Sequence, residues 1–151
     1  MNTVKRWRDL NLQSLPKKPS YKKKINFKAL ICTLIFSSLI GTYLDLLMVG
    51  NGFYSFPDRP FPMIFSINIL FTLFVLPVLT TVIIYLFKQL PTLLYRGFIL
   101  ICFFFFLPIL EHFSELFSVF THSNDWNHLY SGFGYVIFIL IIWKFYVWLS
   151  S

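Results

Sequence analysis

Along this chain, apolar residues do not alternate with polar ones at a period of two or 3.6; they gather in four long blocks separated by short polar stretches. The blocks run over about 27–49, 63–87, 94–120 and 128–149. Each holds roughly twenty or more residues, enough for a helix rising about 1.5 Å per residue to cross about 30 Å of hydrocarbon. Continuous apolarity of this length predicts helices that are greasy all round rather than on one stripe. The expected fold is all-α: an integral membrane bundle of four transmembrane helices over 27–151, preceded by a basic tail over 1–26. Within that tail, Val4, Trp7 and Leu10 recur at rough helical spacing with cations between them, predicting a short interfacial helix that ends near Pro16. The first block is longer than a signal-peptide core, and no small-residue cleavage pattern follows "LLMVGNGFY", so it is expected to be retained.

Composition supports the same class: 57% of residues are hydrophobic, 21% are aromatic and 13% are charged, which is more apolar surface than a soluble fold of 151 residues can hide. Net charge is +7, and its placement predicts orientation. Of thirteen cations, nine (Lys5, Arg6, Arg8, Lys17, Lys18, Lys22, Lys23, Lys24 and Lys28) precede or open the first block. The positive-inside bias then holds the N-terminus in the cytoplasm; four crossings return the C-terminus there and leave Lys88 and Arg96 on the same side. Lys144 snorkels toward that side, and Arg59 is left outside. The run "LPKKPSYKKKINFK" reads as a topology signal that attracts anionic headgroups and not as a nucleic-acid arm, since no base-reading domain is attached. Cys32 and Cys102 lie in separate blocks without a C-x-x-C partner and are expected to pack between helices as small apolar residues.

With the threading set, the polar residues inside the blocks fall in one layer near the outer surface. Asp45, Asn68, Glu111, His112, Glu115, His122 and His128 are its candidate members, with Glu111 deepest at about 13 Å if the third span is straight. On a continuous helix with Glu111 at zero, His112 falls at about 100°, Glu115 at about 40°, Ser118 at about −20° and His122 at about 20°. That stripe must face the bundle interior or a wet cavity, because an ionised side chain at the bilayer centre costs at least about 2.5–3.5 kcal/mol. Pro108 frees the Phe104 carbonyl and predicts a kink beside the stripe; Pro77 predicts another in the second span. Glu111 is expected to hydrogen-bond to Asn68 or Asp45, and His128 to cap the start of the fourth span.

Three readings of the layer stay open. It is a structural or interaction network, a site for protons, ions or a lipid headgroup, or a metal or acid–base centre. In the last case the ligands to a divalent ion are Glu111, Glu115, His122 and His128. The order E-H-x-x-E matches neither H-E-x-x-H nor the E-x-x-H of di-iron bundles, so no cofactor is expected. The loop "GNGFYSFPDRPFP" carries three prolines, with Phe53, Tyr54, Phe56 and Phe61 suited to the headgroup zone. It reads as an interfacial lid, with Arg59 as a candidate counter-ion for Asp45 or for an anionic headgroup. "SGFGY" lacks the pore helix of a potassium filter, so Gly132 and Gly134 are expected to allow close helix packing. No Ser-His-Asp order, phosphate loop or dinucleotide fingerprint is present.

The stretches "GTYLDLLMVGNGFYSFPDRPFPMIFSIN", "PILEHFSELF" and "HSNDWNHLYSGFGY" resemble a family of small polytopic membrane proteins from spore-forming Bacillus and Clostridium relatives. The resemblance covers Cys32 to the end and implies no activity. The D-x-x-H-x-x-x-G spacing of Asp125, His128 and Gly132 is also similar to the last-span motif of the teicoplanin-resistance VanZ-like membrane proteins. Both resemblances imply a multi-pass protein of a bacterial cell membrane. The function expected from the sequence is non-enzymatic: organising a membrane-protein partner or a second copy, or sensing or binding a ligand at the outer leaflet. A metal-dependent hydrolase or transferase is the alternative, and proton or ion handling a further one; no nucleic-acid partner is expected.

Overall fold

The computed structural model describes residues 24–123 and 126–151. Most of the basic tail, including the helix expected around Trp7, lies outside them, as do Asp125 and the side chain of His128. Among the described residues, four helices are long and apolar enough to cross a membrane. Helix α1 is Phe27–Gly50. Helix α2 covers Phe71–Gln89, its first turn, Phe71–Val75, being a π-helix. Helix α3 is Leu93–Leu116 and α4 is His128–Ser150. Two-residue strands β1 (Tyr54–Ser55) and β2 (Thr121–His122) pair antiparallel across one end of the bundle, with Tyr54 opposite His122.

Helix α4 packs against the other three, and α2 also packs against α1. The reason for the close α1 contact lies in a spacing of four: Ala29, Thr33, Ser37 and Gly41 form one small-residue stripe. Ala29, Thr33 and Ser37 are buried. The two hydroxyls are satisfied within the helix, Thr33 Oγ1 donating to the Ala29 carbonyl at 2.7 Å and Ser37 Oγ to Leu34 at 2.8 Å. A Cβ added at Gly41 would overlap Leu76 Cδ2 of α2. Ala29 and Leu30 then join Ile84, Ile142 and Tyr146 in one core cluster, while Ile83, Phe87, Leu107 and Ile139 form a second between α2, α3 and α4.

The prolines act differently from one another. Ahead of Pro77, the Leu76 N–H reaches back five residues to the Phe71 carbonyl, so the expected break in α2 takes the form of the π-turn. Helix α3 runs on through Pro108. A Cβ at Gly132 would stand 3.0 Å from the Phe104 carbonyl oxygen, the acceptor that Pro108 deprives of its helical donor, and 2.9 Å from the Phe104 ring. Gly132 therefore permits the α3–α4 contact as expected, whereas Gly134 has nothing within 4 Å of its missing Cβ and has no such role.

At the end of the bundle opposite the paired strands, Asn26 caps α1 by accepting from Ala29 N–H at 3.2 Å, and its own N–H donates to Tyr146 Oη at 3.1 Å. Arg96 donates to the carbonyls of Phe87 and Leu90, closing the C-terminus of α2, and its guanidinium lies 5.0 Å from the Trp143 ring centre. Cys32 and Cys102 are free thiols on exposed faces, not between helices as their size and apolarity had suggested.

Two expected spans are shorter than the apolar blocks. The second starts near residue 69 instead of 63, because Phe61 adopts a positive φ of 55° and its carbonyl accepts from Ile64 and Phe65 in a separate turn. The third stops at Leu116 instead of running to 120. Ser118 takes a left-handed φ of 57°, its N–H bonds to the Glu115 carbonyl, and Val119 N–H bonds to Ser114. Those two bonds are a Schellman stop with serine where glycine is usual.

Candidate functional site

The Schellman stop creates the site. On a continuous helix, Ser118 and His122 would extend the Glu111 stripe; instead the chain reverses, and β2 carries His122 back over the last turn of α3. His122 Nδ1 lies 2.5 Å from Glu115 Oε1, and the same oxygen accepts from the His122 backbone N–H at 3.3 Å. His122 Nε2 lies 3.6 Å from Glu111 Oε2, and Glu115 Oε2 lies 3.4 Å from His112 Nδ1. The structure thus brings Glu111, His112, Glu115 and His122 together, by a turn and a strand pair instead of one helical face.

Burial grades along this set. The side chains are 63% exposed at His112, 23% at Glu115, 13% at Glu111 and 6% at His122. His122 is walled by rings: Trp126 stacks on it at 5.8 Å between centres, and Phe120 meets it edge-on at 4.5 Å. Trp126 is fixed by donating to Ser131 Oγ at 3.0 Å.

Two tyrosines complete the network. Tyr135 of α4 donates to Glu111 Oε1, so the partner of Glu111 is a phenol and neither Asn68 nor Asp45; with α3 ending at Leu116, Glu111 stands no further from its helix end than Asp45 does from Gly50, contrary to the depth expected of it. Tyr54 of β1 donates to Asp45 Oδ1 at 2.6 Å. Burial, reinforced by the neighbouring Asp45, pushes the Tyr54 phenol well above its ordinary value, so it stays a donor at any physiological pH. The second oxygens, Asp45 Oδ2 and Glu111 Oε2, are buried and take no hydrogen bond from the described residues. Sequence reasoning placed Tyr54 in the headgroup zone instead of on Asp45, and passed over Tyr135. A signal existed: a carboxyl buried without a cation needs a hydroxyl donor, and Tyr135 stands in the span that faces it.

Other candidates go elsewhere. Asn68 Oδ1 accepts from Phe71 N–H at 3.3 Å, so it serves the start of α2, where helical N–H groups lack partners, and not the polar layer. Arg59 is not the counter-ion of Asp45: its guanidinium donates to the carbonyls of Phe56, Pro62 and Phe65, tying the proline-rich loop to itself. Phe56 of this loop is buried with Ile67 and Phe120 and does not face outward, contrary to the headgroup-zone expectation. His128 opens α4, but the cap is Asn127, whose side chain accepts from Leu129 N–H at 3.0 Å. Among the described residues, no three His, Cys, Asp or Glu side chains are grouped so as to hold a metal ion.

The chain matches no protein-family model, no curated protein and no solved structure.

Proposed function

We propose that this is a multi-pass bacterial cell-membrane protein, with both termini cytoplasmic, that senses or binds a ligand at the outer leaflet through its polar layer without catalysing a reaction. The single observation that carries the reading is the concentration of Asp45, Glu111, Glu115 and His122 at one end of an otherwise apolar bundle, under a paired-strand lid. Maintaining such groups among apolar helices is expensive, and intramembrane ionisable residues are retained for what they bind or transfer. The asymmetry of charge supports the orientation: among the described residues, Lys24, Lys28, Lys88 and Arg96 lie toward the opposite end from the lid.

Single cysteines placed in the 50–62 and 121–127 loops of a variant lacking Cys32 and Cys102 test it on intact cells. Reaction with an impermeant thiol reagent there, and protection of a cysteine in the 90–92 connection, is the expected result; the reverse pattern overturns the orientation. Metal analysis of detergent-purified protein tests the non-enzymatic part. Near-stoichiometric zinc, manganese or iron that vanishes in Glu115→Ala would replace it with a metal-dependent hydrolase or transferase.

A further inference from the structure

The polar contacts form a continuous line through His122: His112 to Glu115 at 3.4 Å, Glu115 to His122 at 2.5 Å, His122 to Glu111 at 3.6 Å, then Glu111 to Tyr135. Exposure falls from 63% at the first side chain to 6% at His122, the group that bridges the two carboxyls. We propose that this line is a proton path, with His122 as the relay, that loads and unloads the buried Glu111 carboxyl from the aqueous phase at this end of the bundle. It deepens the sensing role above, and it names the ligand as the proton.

The geometry specifies which atoms act. Tyr135 occupies Glu111 Oε1 as a donor, and this leaves Oε2, which accepts no hydrogen bond from the described residues, toward His122 Nε2. His112 takes a proton from water and passes one to Glu115, whose carboxyl turns to present it from Oε1 to His122 Nδ1; the imidazolium releases its Nε2 proton to Glu111 Oε2. One proton enters the ring and one leaves, and the neutral ring ends as the other tautomer. Reverse transfer, from Glu111 to Nε2 and from Nδ1 to Glu115, restores the first tautomer. A path that resets on the return stroke suits reversible loading and not one-way flux. The groups around the relay are consistent with this. From α3 come Glu111 and Glu115; from β1 comes Tyr54, held as a donor to Asp45 of α1; from α4 comes Tyr135, through Glu111. Arg59, the cation of the lid loop, is turned onto backbone carbonyls.

Time-resolved infrared spectroscopy of the purified protein after a downward pH jump tests the path. The carboxylic C=O band of Glu111 is identified by its loss in Glu111→Gln. Glu115→Gln keeps an acceptor for His122 but cannot carry a proton, and it should slow the rise of that band by about 100-fold, the low end of what a positioned acid–base group contributes, at unchanged final amplitude. His122→Gln is the second variant and should act alike. A rise at the wild-type rate in either folded variant, or no Glu111 band in the wild type, overturns the proposal. The measurement is made on purified protein and is indifferent to orientation, so its failure is distinguishable from failure of the outer-leaflet assignment, which the thiol labelling reads.

Discussion

His122 and Glu115 are seven residues apart in the chain, yet the imidazole Nδ1 and the carboxylate Oε1 stand 2.5 Å from one another and the same oxygen also takes the His122 backbone N–H. One carboxylate thereby clamps strand β2 onto the end of α3, and through the Tyr54–His122 register it holds β1 as well. His122→Ala should release the lid, with faster amide hydrogen exchange at residues 54–55 and 121–122. The cost to thermal unfolding in detergent should be about 1–3 kcal/mol, the range for a buried polar partner left unpaired. Unchanged exchange at those four positions would show that the rings and the residue-122 backbone N–H, which still donates to Glu115 in the variant, hold the lid without the imidazole.

The reversal depends on Ser118 at a φ of 57°. A left-handed residue other than glycine is strained, so Ser118→Gly should stabilise the protein by up to about 1 kcal/mol, whereas the β-branched Ser118→Val should destabilise it by a similar or larger amount. Paired thermal melts in one detergent check both signs.

Gly132 and Gly134 are two residues apart on α4 but should respond oppositely. Gly132→Ala forces a methyl group against the Phe104 ring and carbonyl and should cost about 1–3 kcal/mol. Gly134→Ala meets open space and should be neutral or stabilising by up to about 1 kcal/mol, the helix-propensity gain. Equal losses from both would contradict the close approach at Phe104.

Glu111 and Tyr135 define a further comparison. Glu111→Gln keeps an acceptor for the Tyr135 hydroxyl and should stay close to wild type in detergent stability. Tyr135→Phe and Glu111→Ala each strand one buried polar group and should cost about 1–3 kcal/mol, with a double variant less damaging than the sum. Strict additivity would show that the two groups do not interact.

Arg59 donates to three carbonyls around a turn that holds Phe61 at a positive φ. Lysine lacks the planar fork for this, so Arg59→Lys should behave much like Arg59→Ala, both increasing proteolytic nicking within 56–65. Full protection in Arg59→Lys would mean that charge alone suffices.

How much of this was legible in the chain depends on the range of the forces involved. Four apolar helices follow from residue content, since any stretch of that length and apolarity hides its backbone best as a helix. The membership of Glu111, His112, Glu115 and His122 in one group was also readable, because residues four apart on a helix are neighbours, though the geometry assumed for His122 was wrong. The small-residue stripe Ala29, Thr33, Ser37 and Gly41 was equally readable at that spacing and was passed over.

What the chain alone did not reveal was decided by contacts between distant segments. Whether Phe117–Phe120 continues a helix or leaves it is nearly neutral by propensity; the pairing of Thr121 and His122 with Tyr54 and Ser55, and the burial of Phe120 against Phe56 and Ile67, settle it. The phenols that receive Asp45 and Glu111 come from 9 and 24 residues away, and only packing of the lid and α4 brings them into reach. Local pattern determines the elements because it acts within a few residues; the partners of buried polar groups are chosen by whichever donor the assembled bundle places within about 3 Å.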